Sequence, residues 1–181
     1  MINILSCKIE DLVFVQLIAK KTWPDTFSNI LTPDQIEYML SWMYSLETLE
    51  QQKKEGYQFY LAEKESEKLG FTGIEVNSEP GKTKIHKIYI LPSAQGKGVG
   101  KALLQKIREI AKAHNQTSLL LNVNKHNQRA IDFYEYLGFE NIKSEINDIG
   151  NGYVMDDFVF ELKLCVFETV QLSVSANFTN K

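Results

Sequence analysis

The apolar positions change period several times along the chain, and each change marks an element. Residues 2–5 are a short apolar run suited to a strand. From 9 to 21 the pattern is helical: Ile9, Leu12, Val13, Gln16, Leu17 and Lys20 trace one mixed face. Glu10 and Asp11 fall in its expected first turn, where negative charge favours the helix dipole. Trp23-Pro24 is expected to end this helix, because a residue before proline is pushed out of the α region. Thr32-Pro33-Asp34-Gln35 starts a second one, with Thr32 as N-cap, Pro33 at the first helical position and Gln35 completing a capping box. That helix turns Ile36, Met39, Leu40 and Met43 inward, and residues 45–55 form a third, heavily charged helical stretch.

The period then falls to two. Residues 57–63 and 69–76 are rich in β-formers and flank a charged turn at 64–68, which predicts an antiparallel hairpin. Glu79-Pro80-Gly81 is a further turn, and 85–91 a third strand. Residues 98–114 read as an amphipathic helix, with Leu103, Leu104, Ile107, Ile110 and Ala111 against Lys101, Lys106, Arg108 and Lys112. Residues 118–123 are almost continuously apolar, as in a strand buried on both faces. A helix over 127–137 stops at Gly138 with Phe139 behind it, and 153–164 supplies one more strand, or two with a bend. This order predicts a single α+β domain over 1–164, its mixed central sheet containing a parallel crossover and flanked by helices. Residues 165–181 lie beyond its natural end as an extension, either an edge strand or a tail.

Composition narrows the class. The 181 residues are 44% hydrophobic and 24% charged, ordinary for a globular chain and unlike a disordered or disulfide-scaffold one. A formal charge of −3 argues against nucleic acid as a partner. Cys7 and Cys165, near opposite ends, could form one long-range disulfide but read better as two reduced thiols. No apolar run reaches the about 18 residues that span a bilayer, so no membrane partner is expected. Lys8, Glu10 and Asp11 stand where a signal peptide needs apolar residues, making the cytoplasm the expected compartment. His86, His114 and His126 have no metal-ligand spacing with one another or with the cysteines, so no metal is expected.

The informative feature is Gln95-Gly96-Lys97-Gly98-Val99-Gly100-Lys101, three alternate glycines between a strand and a helix. Successive backbone N–H groups there face one point, and the helix N-terminus adds positive potential, so the loop suits an anion such as a diphosphate. A P-loop is excluded: Gln95 stands where its first glycine belongs, and Ala102 where its hydroxyl belongs. The dinucleotide pattern G-x-G-x-x-G fails as well, ending at Lys101 or Leu103.

The form that does fit is Gln-x-x-Gly-x-Gly, and in it the chain resembles the GNAT superfamily of acyl-CoA-dependent N-acetyltransferases. A second similarity lies at Leu121-Asn122-Val123-Asn124 and at Asn127 to Phe139, where N-x-x-A-x-x-F-Y-x-x-x-G-F is complete. The two motifs span about 85–139, and the element order extends the likeness over 2–164. The resemblance implies acetyl-CoA as cosubstrate, its pyrophosphate held by Gln95, Gly96, Lys97, Gly98, Val99, Gly100 and Lys101. Its pantetheine arm would pair with Tyr89, Ile90 and Leu91 between two splayed parallel strands. Asn127 matches a cofactor contact and is equally a good N-cap. Tyr134 matches the acid that protonates the departing thiolate, and shares helical spacing with core positions.

An alkylamine acceptor lies about 3.4 pH units from neutrality at pH 7, roughly 4–5 kcal/mol, so a base is needed. A glutamate that several family members carry eleven residues before the motif glutamine is Lys84 here. His86, Glu75 on the neighbouring strand, or a water chain remain open as the base. Trp23, Asp25, Phe27, Tyr38 and Tyr153 suit an acceptor pocket for a cationic amine. The stretches 22–27 and 149–157 resemble a bacterial branch acting on polyamines or other small amines. The expectation is an N-acetyltransferase for a primary amine, acting as monomer or homodimer. The missing glutamate motivates the alternative, an acyl-CoA-binding sensor or partner-binding module without turnover.

Overall fold

In the computed structural model, which describes residues 1–164, the chain runs β1 (Asn3–Ser6), α1 (Leu12–Phe27), α2 (Pro33–Met43), α3 (Leu46–Lys54), β2 (Gln58–Lys64), β3 (Glu67–Glu79) and β4 (Lys82–Ile90). It continues through α4 (Val99–Ala113), β5 (Ser118–Asn124), α5 (Gln128–Tyr136), β6 (Glu140–Gly150) and β7 (Tyr153–Lys163). The strands form one seven-stranded sheet in the order β1-β2-β3-β4-β5-β7-β6. Every described pairing is antiparallel except β4–β5, which α4 connects as a crossover. The expected α+β sheet with a parallel pair is therefore present. The extension at 165–181, and Cys165 with it, lies outside the described residues.

Alternation decides which side of the sheet each core belongs to. On β2, Phe59 and Leu61 join Leu12, Val15, Trp23, Met39 and Leu49 beneath α1–α3. Tyr60 joins Leu104, Ile107 and Ile131 under α4 and α5 on the opposite face. Helices thus cover both faces, and the hydrophobic run of β5 is buried as its composition predicts.

Two local expectations are corrected, and one unanticipated strand is added. First, α1 does not stop at Trp23 but runs through Pro24 to Phe27. Pro24 lies on the exposed side, while Trp23 and Phe27 stack at 4.7 Å and are both buried, so packing outweighs the lost backbone bond. Glu10 and Asp11 precede the helix, and its buried stripe is Leu12, Val15, Ile18, Ala19 and Trp23, leaving Val13 and Leu17 exposed. Second, Thr32 caps α2 by accepting from Gln35 N, but the Gln35 side chain does not return the bond; its Nε2 donates to Val154 O at 3.1 Å. Third, 140–150 is a full strand, β6, that pairs with β7 through a turn at Asn151-Gly152. It is an almost wholly exposed edge, so it lacks the buried alternation that marks the other strands.

Candidate active site

The two parallel strands part company midway. Their pairing runs from Lys82↔Ser118 to Ile85↔Leu121 and ends there, although β4 continues to Ile90 and β5 to Asn124. The cause lies on the other edge of β4. Gly73 pairs with Lys87 but Ile74 with Ile85, so His86 is an extra residue, a bulge that bends β4 away from β5. The bulge also shifts the alternation: Ile85 and Ile88 both face the α4–α5 core, whereas Tyr89 and Leu91 pack on the α1–α3 side.

The glycine loop lies at the end of this diverging strand. After the 3-10 turn Pro92–Ala94, Gln95 donates from Nε2 to Ile90 O at 3.3 Å, tying the loop back to β4. Gly96 (φ +74°) and Gly98 (φ +84°) adopt the left-handed conformation, and a Cβ on either would meet nothing within 4 Å. Gly100 is different: its Cβ would come within 3.1 Å of Ile90 and 3.2 Å of Phe133, so it allows α4 to pack closely. Thr32, Ser45 and Asn127 cap α2, α3 and α5 with side chains, whereas α4 starts at Gly98 with none. Its first-turn amides are left for another acceptor. Open space above two left-handed glycines, uncapped amides, and Lys97 and Lys101 exposed nearby fit a diphosphate.

Across the gap, Asn127 accepts from Ala130 N at 3.2 Å through Oδ1, which leaves its Nδ2 to donate elsewhere. N-cap and ligand contact are therefore compatible. Asn127 also lines a cleft of about 560 Å³, with Thr26, Asn29 and Ile30 on one wall and His126 and Arg129 on the other. Tyr134 is buried, its ring edge-on to Phe133 and Phe139. Burial, and secondarily Tyr89, raises its phenol well above the ordinary value. Proton donation is thus harder than for a free phenol, and Tyr134 stays protonated at pH 7.

The α1–α3 face of the gap is polar. Glu75 and His86, separate candidates in the sequence, hydrogen-bond to each other at 2.9 Å, and the His86 ring stacks on Tyr57 at 4.6 Å. Burial lowers the His86 pKa against the opposing pull of Glu75, with Lys84 and Lys87 lowering it further, so the ring is neutral at pH 7. Beyond them lie three residues the sequence reading did not single out. Asn122 on β5 donates to Glu145 Oε1 on β6 at 2.6 Å, and Asp157 on β7 stands opposite Asn124. The Asn122 amide, then Lys143, holds Glu145 down at about 2. Burial pushes Asp157 up to about 6, Glu145 and Asp156 adding to the rise and Asn122 and Lys84 opposing it. The available signal was alternation: Asp157 lies two residues from Val159 and so shares the face that Val159 buries.

Of the expected pocket residues, Trp23 and Phe27 are core, Asp25 is exposed, and Tyr38 and Tyr153 meet at 5.5 Å. Tyr38 donates to Ile149 O at 2.8 Å and Gln35 to Val154 O, so α2 is tied to the β6–β7 hairpin and walls this side.

Comparison with known proteins agrees with this geometry. A model of the Acetyltransferase (GNAT) family matches residues 18–139. The chain belongs to the GNAT acetyltransferase family. It is 29% identical to the spermidine N(1)-acetyltransferase of Thermoplasma acidophilum over 86% of this chain and 96% of that protein. The crystal structure of the PaiA N-acetyltransferase from Thermoplasma acidophilum, in complex with coenzyme A, superposes with a TM-score of 0.75 at 27% identity, covering 91% of this chain and 99% of that one. The mycothiol acetyltransferase of Streptomyces avermitilis is 32% identical over 49% of this chain, which spans only 29% of that protein's length. Among the described residues, no helix is long and apolar enough to cross a membrane.

Proposed function

We propose that this chain is an acetyl-CoA-dependent N-acetyltransferase that passes the acetyl group directly to the primary amine of a small molecule, a polyamine or similar alkylamine. The observation that carries the reading is the ending of the β4–β5 pairing at Ile85/Leu121 beside an uncapped glycine loop. Family membership supports it, as do the names of the Thermoplasma relatives, one a spermidine acetyltransferase and one bound to coenzyme A.

The amides of residues 95–101 bind the diphosphate, and Tyr89, Ile90 and Leu91 offer backbone groups, no longer paired with β5, to the pantetheine amides. Asn127 contributes its free Nδ2. The cosubstrate supplies an acetyl group activated as a thioester. Tyr134 holds its proton until negative charge develops on sulfur and then donates it, so burial delays transfer without preventing it. Glu75 and His86 are each other's hydrogen-bond partner, and the Tyr57 ring lies against the imidazole. They hold the bulge that keeps the gap open.

The test is thiol release from acetyl-CoA with a panel of small amines, alongside thermal stabilisation by acetyl-CoA. Stabilisation with release for at least one alkylamine supports the reading. Stabilisation without release for any amine favours a CoA-binding module instead, and no stabilisation removes the cofactor assignment.

A further inference from the structure

Two buried acceptor atoms on the α1–α3 side of the gap have no hydrogen-bond partner: Asn122 Oδ1 and Asp157 Oδ1. Asn122 cannot relieve this by flipping, because its Nδ2 is committed to Glu145 Oε1 and the reversed amide would set oxygen against a carboxylate. Asp157 keeps only 6% of its surface exposed. Buried polar atoms are nearly always partnered, so two orphaned acceptors on neighbouring strands mark a place where a donor belongs. Both side chains lie in the part of β5 and β7 beyond the last β4–β5 pair, on the face opposite Leu121, Val123 and Phe160. An alkylammonium brings three N–H donors and one positive charge, matching two acceptor oxygens of which one is a carboxylate's.

We infer that Asn122 and Asp157 seat the acceptor ammonium and that Asp157 takes its proton, serving as the general base in place of the glutamate replaced by Lys84. This deepens, and rests on, the amine-acetylating reading above. Asp157 receives one of the three ammonium protons. The freed nitrogen lone pair forms the C–N bond to the acetyl carbon while the C–S bond breaks. Tyr134 gives sulfur its proton and is restored by the second proton that nitrogen sheds. The amide and the thiol leave, and Asp157 returns its proton to water.

The charges around the two carboxyls divide their roles. Glu145 is held ionised at about 2 by Asn122 and by Lys143, which pairs with it at 3.1 Å, so it stays a hydrogen-bond acceptor that fixes the Asn122 amide. Asp157 faces Glu145 from β6, Asp156 on its own strand, and Lys84 and Tyr89 from β4. Burial leads in raising it to about 6, making it roughly a hundredfold stronger base than an ordinary aspartate. Neighbouring carboxyls driven apart in this way are the usual sign of divided acid–base duties.

The experiment follows kcat/KM against pH for the alkylamine giving the fastest thiol release, and repeats the pH 7 measurement with trifluoroethylamine, which is already uncharged. In the unaltered protein the alkylamine rate should rise to a plateau above about pH 6. Asp157→Asn should lower it about a hundredfold or more at pH 7 and leave a rate that climbs tenfold per pH unit to pH 9. With trifluoroethylamine the loss should shrink to within about threefold, while acetyl-CoA still stabilises the variant. Equal loss with both acceptors makes Asp157 structural and overturns the assignment, as does an acid limb that disappears in His86→Gln instead. If Asp157→Asn does not fold, the acid limb of the unaltered protein decides, and its absence overturns the assignment. If no amine is turned over at all, the failure lies in the activity reading, and this assignment falls with it.

Discussion

Replacing Gly98 with alanine separates what the backbone needs from what a ligand needs. Gly98 sits at φ +84° with nothing within 4 Å of its would-be Cβ, so the methyl group meets no protein atom. The structural penalty is conformational only: about 1–2 kcal/mol for an L-residue in the left-handed region. Restricting the unfolded chain offsets about 0.4–1 kcal/mol of this. The net of about 0–1.6 kcal/mol should lower Tm by no more than about 6 °C in a domain of this size. Cofactor affinity should suffer far more. If the empty space above the loop is the diphosphate seat, the methyl group stands in it and holds the anion away from the first-turn amides. Two charge-assisted hydrogen bonds weakened by about 1.5 kcal/mol each raise Kd about a hundredfold. Scanning calorimetry gives the first number and titration calorimetry with acetyl-CoA the second. A variant with the expected loss of Tm that still binds within about twofold of the unaltered protein would refute the assignment of the loop.

The remaining predictions address chemistry, core and charge in turn. Tyr134→Phe should lower kcat at least about tenfold with little change in acetyl-CoA affinity, since only the hydroxyl is lost; matched losses in both would make Tyr134 a packing residue. Phe160→Ala, at a position with no exposure, should cost about 3–5 kcal/mol and lower Tm by roughly 6–20 °C, checked by calorimetry. Lys87 is 3% exposed, bonded to Gln52 Oε1 at 3.0 Å and set over the Tyr44 ring, and burial lowers it to about 8. Between pH 8 and 10.5 the unfolded chain binds the extra proton, so stability should rise with pH across that window. Lys87→Met should accordingly stabilise by about 1–3 kcal/mol at pH 7, an advantage that fades as pH approaches 10; a pH-independent or negative change contradicts this.

Much of the fold could be read locally. The glycine loop, the Thr32 cap and the helix stop at Gly138 are signals carried by a few adjacent residues, and each lies where its residue types demand. What escaped depends on partners distant in the chain. Pro24 stays helical because Trp23 and Phe27 are gripped by the sheet, which no local rule contains. Strand β6 shows no buried alternation because it is an edge, and its best signal was the Asn151-Gly152 turn. Glu75 and His86 were individually visible, but their mutual hydrogen bond follows from the β3–β4 register. Asn122, Glu145 and Asp157 come together only once β5, β7 and β6 are set side by side.

A single inserted residue accounts for the way the site is divided between the two faces of the sheet. Were His86 paired in regular alternation instead of bulged, Lys87 and Tyr89 would share the side of Ile85, toward α4 and α5, and β4 would have no reason to leave β5. With the bulge, Ile88 and Ile90 back the glycine loop and α4, while Tyr89 turns to Trp23, Tyr44 and Phe71 on the α1–α3 side. The same bulge therefore opens the gap and sorts its walls. On the proposed reading, the uncapped amides at the end of β4 take the anion, and Asn122, Asp157 and Glu145 on β5, β7 and β6 take the cation. The Glu75–His86 bond pins the inserted residue to β3 at the point where the strands diverge, which is why its value to the chain is geometric even where it moves no proton.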